Sequence, residues 1–232
     1  MTEHEVLLST IADALGEELL NQVTFVGGAT VSLHLDDAQP IDIRSTKDVD
    51  FIVSVTSYTD YHKLVDLLKE KGFSEEIPQK GETAPLCRFI CNGVLVDVMP
   101  DDEEVLGFSN KWFKACQKNP IVHELPITGT RIQIAQAKYL LATKLEAFFH
   151  RGTDILESKD AEDIVVLVNG RDTLVTEIAA GPDDLSGYIS EGVRRFKADP
   201  SFDYLLVNAL QGEEPERYDI ISERFAQLSN GG

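Results

Sequence analysis

The chain has 232 residues, of which 43% are hydrophobic and 26% charged. That length suits one large domain or two small ones, with enough apolar material for a real core. The 21 Lys and Arg stand against 40 Asp and Glu, a net charge of -19, which repels a polynucleotide at long range and argues against extended nucleic-acid binding. Small anionic ligands stay compatible with it, because a metal ion and a few cations dominate a cleft locally.

Cys87, Cys91 and Cys116 give no disulfide framework and have no partners at zinc spacing, so they read as reduced, partly buried thiols. The start, Met1-Thr2-Glu3-His4-Glu5, is acidic and lacks the positive opening of a signal peptide. No apolar run approaches the length of a membrane span. The expectation is a cytoplasmic protein with no membrane partner.

In chain order, apolar residues at Val6, Leu7, Ile11, Leu15, Leu19 and Leu20 predict an amphipathic helix over Glu3 to Leu20. Val23 to Val26 reads as a short apolar strand. It ends in Gly27-Gly28 and is followed by helical spacing from Ala29 to Leu35. Glycines at a strand-to-helix turn let backbone N–H groups approach a phosphate. Asp36 to Thr46 is a loop, and Ser45-Thr46-Lys47-Asp48-Val49-Asp50-Phe51-Ile52-Val53 reads as a strand from Val49 on, entered from a polar loop. Alternation puts Asp48 and Asp50 on one face and Val49, Phe51 and Val53 on the other. Two carboxylates side by side repel unless a cation sits between them, and a hard divalent ion such as Mg²⁺ suits oxygen ligands. Taken alone, the pair reads as a cap and a solvated strand residue.

Tyr58 to Lys71 is a second helix, ended by Gly72, and Phe73 to Glu76 a short edge strand. Arg88–Cys91 and Val94–Met99 flank Asn92-Gly93, a strong hairpin signal. Asp97 falls on the second arm, and the expectation is that the first arm lies near the Asp48 strand. A carboxylate on such an apolar strand needs a partner or a metal. Pro100 to Gly107 reads as a solvated acidic connection. Ile121–Leu125 and Thr130–Ile134 form a last hairpin around Thr128-Gly129.

From Ala135 the pattern is helical: Gln136–His150, Lys159–Val168, Asp172–Ala179, Asp184–Phe196, Phe202–Leu210 and Pro215–Leu228, with Gly and Pro at the joints. The fold class is α+β, a mixed β-sheet domain over 1–134 and a C-terminal helical bundle over 135–232. Residues 172–232 are acidic and suit scaffolding or a protein partner better than a grip on phosphates. Lys144 falls on the apolar side of its helix, where a lysine must snorkel out or meet an anion. Asp160 and Asp163 are neighbours on one helix face, behind Ser158 as an N-cap. Taken alone, they read as first-turn acids favouring the helix dipole.

Gly27-Gly28, Asp48/Asp50 and Asp97, in that order, resemble the nucleotidyltransferase superfamily with the polymerase-beta-like fold. Lys144 and the segment Lys159-Asp160-Ala161-Glu162-Asp163 extend the resemblance to the AbiEii/AbiGii-type toxin group, over about residues 23–168. The common Gly-Ser is Gly-Gly here, with Thr30 or Ser32 as candidate replacements for the missing hydroxyl. The usual arginine-bearing continuation is replaced by Leu33-His34-Leu35.

The resemblance implies transfer of NMP from an NTP to a hydroxyl or phosphate acceptor: a small molecule, a protein or tRNA. Asp48, Asp50 and Asp97 would hold one or two Mg²⁺, with Asp97 lowering the pKa of the attacking hydroxyl or acting as its base. Gly27, Gly28, Thr30 and Lys144 would bind the nucleotide, and Asp160 or Asp163 would orient Lys144 or the acceptor, with Lys159 pairing locally. An antitoxin is the implied protein partner. The alternative is a catalytically degenerate member of the same fold that binds nucleotide or only a protein.

Overall fold

The computed structural model describes residues 2–36, 44–77, 85–210 and 215–231. They form two compact units, Met1–Leu33 with Ser45–Gln136, and His34–Arg44 with Ala137–Gly232. The sequence reading places 34–44 with the first domain. Its described residues 34–36 lie with the second: Asp36 N–H donates to the Gly170 carbonyl (2.9 Å) and the Arg171 guanidinium donates to the His34 carbonyl (2.9 Å). The expected loop from Asp36 to Thr46 falls mostly outside the described residues.

The first unit is α+β. Helix α1 (Glu3–Leu20) is opened by a capping box: Thr2 Oγ1 accepts from Glu5 N–H, and the Glu5 carboxylate accepts from Thr2 N–H. It is not one continuous helix. Gly16 takes φ 69° and kinks it, a conformation open to glycine at little cost. Strand β1 (Val23–Val26) leads into the short helix α2 (Gly28–Val31) and a 3₁₀ turn, Ser32–His34. Then come β2 (Asp48–Val53), α3 (Tyr58–Glu70), β3 (Ser74–Glu75), β4 (Arg88–Cys91) and β5 (Val94–Pro100). Helices α4 (Glu103–Leu106) and α5 (Phe113–Lys118) precede the hairpin of β6 (Pro120–Glu124) and β7 (Arg131–Ala135).

The seven strands form one mixed sheet in the order β3-β4-β5-β2-β1-β7-β6. Neighbours pair antiparallel except β2 with β5 and β1 with β7, which run parallel. One face carries Phe25, Val49, Phe51, Phe89, Val96, Val98 and Ile134, packed with Leu8, Ile11 and Leu15 of α1 and Tyr61, Val65 and Leu68 of α3. On the other face α5 packs against β1, β2 and β7.

Two expectations are corrected. It is the second arm of the Asn92-Gly93 hairpin, β5, that lies beside the Asp48 strand, and the first arm is one strand further out. The two-residue turn, with Asn92 at φ 51° and Gly93 at φ 79°, holds the arms together whichever of them meets β2. The acidic stretch after Pro100 is not all loop: it contains α4, whose first turn is capped by the Asp102 carboxylate and which ends at Gly107 with φ 80°. Helix α5 has no counterpart in the sequence reading, since six residues are too few to show a period.

The second unit contains α6 (Ala137–Arg151), α7 (Lys159–Gly170), α8 (Leu174–Ala179), α9 (Asp183–Lys197), α10 (Phe202–Ala209) and α11 (Pro215–Ser229). Its centre is aromatic. Phe196 meets Phe148, Phe202 and Phe225 with ring centroids 5.2, 5.7 and 6.2 Å away. A Cβ on Gly192 would stand 3.1 Å from Leu145 Cδ1, so α9 crosses α6 closely there. Because Phe196 is fully buried, Phe196→Ala is expected to lower stability by about 3–5 kcal/mol through the cavity it leaves. Denaturant unfolding followed by circular dichroism measures this.

Candidate functional site

In the first unit the candidate residues lie in a row across the sheet. Asp50 on β2 pairs in register with Asp97 on β5, and Asp97 pairs with Arg88 on β4. On the other side Asp50 pairs with Val26, the last residue of β1 before Gly27. Asp48 is two residues before Asp50 and shares its face. The alternation that buries Val49 and Phe51 completely leaves Asp48 and Asp50 half-buried.

The glycine turn comes very close to the row. A Cβ on Gly27 would lie 1.8 Å from Asp50 Oδ2, and Gly27 has φ 78°. Both facts require glycine there. Gly28 is the first residue of α2 and is buried. Thr30 is fully buried, and its hydroxyl donates to the Gly27 carbonyl (3.0 Å), so it fastens the turn from inside. Ser32 is the neighbouring hydroxyl whose buried oxygen has no hydrogen-bond partner among the described residues.

Thr46 donates its hydroxyl to Asp48 Oδ1. Arg88 grips Asp97 with both arms of its fork, Nε to Oδ1 and the terminal nitrogen to Oδ2, each at 2.7 Å. Sequence reasoning missed this partner. The signal available was a lone arginine opening an apolar strand four residues before Asn92-Gly93. The bonds to Asp97 hold the guanidinium above its ordinary pKa against the opposing effect of burial, and the charges of Glu76 and Asp48 add to them. Burial, and then the charge of Asp97, push the Cys87 thiol up to about 12.

In the second unit Lys144, Asp160 and Asp163 come together. The ammonium lies 2.7 Å from Asp163 Oδ2 and 3.3 Å from Asp160 Oδ1, with only 11% of its side chain exposed. Arg151 pairs with Asp160, and Arg44 lies 3.6 Å from Asp163. Ser158 provides the cap by accepting from Ala161 N–H. The two aspartates are therefore ion-pair partners more than dipole acids. Lys159 is exposed and makes no ion pair among the described residues.

Among the described residues no group of three or more His, Cys, Asp or Glu is arranged to hold a metal ion. Asp48 and Asp50 offer carboxylates on one face beside the glycine turn, and carboxylate oxygen is the donor type a hard divalent ion takes. Both oxygens of Asp97 accept from Arg88. A cavity of about 710 Å³ in the first unit, lined by Gly16, Glu17, Leu20, Arg131 and Ile132 among others, includes none of the candidate residues.

No protein-family model and no curated protein matches the chain. Among solved structures the chain is similar to an antigenic nucleotidyltransferase-like protein from Paracoccidioides brasiliensis, with 17% identity over 95% of this chain and 92% of the other and a TM-score of 0.46.

Two outcomes follow from this geometry. Gly27→Ala is expected to cost about 1–3 kcal/mol in backbone strain and to displace Asp50, read as a lowered melting temperature. Lys144→Met leaves two buried carboxylates without their lysine and is expected to cost about 3–5 kcal/mol in denaturant unfolding. The double variant Lys144→Met/Asp163→Leu recovers part of that loss.

Proposed function

We propose that the chain is a nucleotidyltransferase that moves NMP from an NTP to a hydroxyl or phosphate acceptor, with Mg²⁺ as the cofactor. The observation that carries this reading is the row of Asp48, Asp50 and Asp97 on one face of two parallel strands, directly against the Gly27 turn. In the reaction a bond forms between the acceptor oxygen and the α-phosphorus, and the bond from that phosphorus to pyrophosphate breaks.

Asp48 and Asp50 would hold the ion, which when bound neutralises charge on the triphosphate. The backbone amides of Gly27 and Gly28 would face the terminal phosphates, where pre-oriented donors need no reorganisation. Thr30 acts through the turn it fastens rather than by touching nucleotide. Asp97 is a charge-paired wall of the row, with both its oxygens accepting from Arg88. Lys144, Asp160 and Asp163 support the helical unit; the lysine's charge is already spent on two carboxylates. The finer reading, a toxin of a toxin–antitoxin pair, rests on the Lys144 and Lys159-Asp160-Ala161-Glu162-Asp163 resemblance alone.

A second reading has one observation in its favour. With Asp97 held on both oxygens, the chain could bind nucleotide, or only a protein partner, without chemistry. One pair of measurements separates the two. Asp48→Asn and Asp50→Asn are each expected to weaken Mg²⁺-dependent binding of a non-hydrolysable NTP at least tenfold, about 1.4 kcal/mol, with an unchanged circular dichroism spectrum. Labelled NTP with Mg²⁺ is expected to release pyrophosphate with the native chain and not with either variant. Unaltered NTP affinity in both variants rejects the metal assignment, and binding without pyrophosphate release selects the second reading.

A further inference from the structure

The first carboxylate of the row is held by a residue that lies outside the strand. Thr46 stands two residues before Asp48, and the chain bends at Lys47 between them. The threonine is only 6% exposed, whereas Lys47 faces water. Its hydroxyl donates to Asp48 Oδ1. Among the described residues no other donor reaches the Asp48 carboxylate. The last torsion of an aspartate is broad and two-fold, so an untethered carboxylate samples many orientations. A threonine is stiff at χ1, and burial leaves this one little room to turn. A stiff donor bound to one oxygen fixes the plane of the carboxylate and leaves Oδ2 with its lone pairs open. The bond is charge-assisted, hence stronger than one between neutral groups. The strand does not depend on it, since Asp48–Val53 pairs with β5 along its whole length.

We propose that Thr46 is a positioning residue for the divalent ion: it orients Asp48 so that Oδ2 is the oxygen offered to the metal. This rests on the reading of Asp48 as a metal ligand and deepens it. Thr46 touches neither ion nor nucleotide and acts through Asp48 alone. Hydrogen-bond partners of metal-binding carboxylates work in this way, and losing one typically costs about 10–100-fold in metal affinity.

Mn²⁺ affinity tests this without any turnover. Mn²⁺ is titrated into the full-length chain without nucleotide, and the free ion is followed by electron paramagnetic resonance. The native chain is expected to bind the ion and Asp48→Asn to lose it. Thr46→Val removes the hydroxyl and keeps the branched shape. It is expected to weaken Mn²⁺ binding by about tenfold or more, with the circular dichroism spectrum of the native chain. Thr46→Ser puts a hydroxyl back and is expected to recover most of that loss. A merely structural threonine would lower the melting temperature of Thr46→Val and leave its Mn²⁺ affinity alone. Binding by the native chain, loss in Asp48→Asn and unchanged affinity in a folded Thr46→Val overturns the role of Thr46 and leaves the metal assignment standing. A serine variant as weak as the valine one overturns it too, because the hydroxyl is then not what matters. No binding by the native chain overturns both. If Thr46→Val does not fold, Thr46→Ala is read in its place against Thr46→Ser, with the same outcomes. If neither folds, the hydroxyl serves the fold and the proposal fails.

Discussion

Negative charges placed side by side on a sheet must be compensated, and that constraint organises the first unit. Asp50 and Asp97 are in-register partners on adjacent parallel strands, and such strands are about 4.8 Å apart. At that spacing two carboxylates repel by roughly 3 kcal/mol at an effective dielectric near 20. The fold answers asymmetrically. Asp97 receives a bidentate arginine from the strand on its other side. Asp48 accepts a threonine hydroxyl, and Asp50 lies so close to Gly27 that no side chain fits between them. The strands that carry these residues have a strongly apolar opposite face, and that burial keeps the row in place against its own repulsion.

The second unit handles carboxylates differently. Asp160 and Asp163 are buried, and Lys144 reaches both from a neighbouring helix. Removing charges from water is costly, and mutual attraction recovers the cost only with good geometry and further partners. Arg151 and Arg44 supply those partners at the edge. A cluster compensated this fully has little charge left to offer an incoming phosphate. The row of the first unit sets Asp48, Asp50 and Asp97 side by side on adjacent strands, with Arg88 pairing Asp97. The same residue type thus marks a support in one unit and a candidate site in the other, and the difference lies in what neighbours each carboxylate.

Much of this was legible in the sequence for identifiable reasons. Alternation along Asp48–Val53 fixes which side chains share a face, and Asn92-Gly93 fixes a hairpin whatever surrounds it. Lys144 stood out because a lysine on an apolar helix face requires an anion, and Asp160 and Asp163 provide it. What the sequence did not reveal was non-local. Nothing in Val94–Met99 says that it pairs with β2 more than Arg88–Cys91 does, because both arms are short and apolar. Without that pairing Arg88 is an ordinary strand residue, and its grip on Asp97 is invisible. The Gly16 kink was hidden because the apolar period continues across it. Thr30 looked like a hydroxyl available to a ligand, but burial and a bond to the Gly27 carbonyl turn it inward.

Charge bears on what the site can serve. With a net charge of -19, the surface repels a long polyanion at a distance, and repulsion between exposed charges fades beyond about 8 Å at physiological salt. A single triphosphate accompanied by its own metal ion carries much of its neutralisation with it. A polynucleotide acceptor meets that repulsion at every phosphate that comes within this range. On the proposed reading, the charge of the whole chain suits a small acceptor, neutral or cationic, better than a polynucleotide.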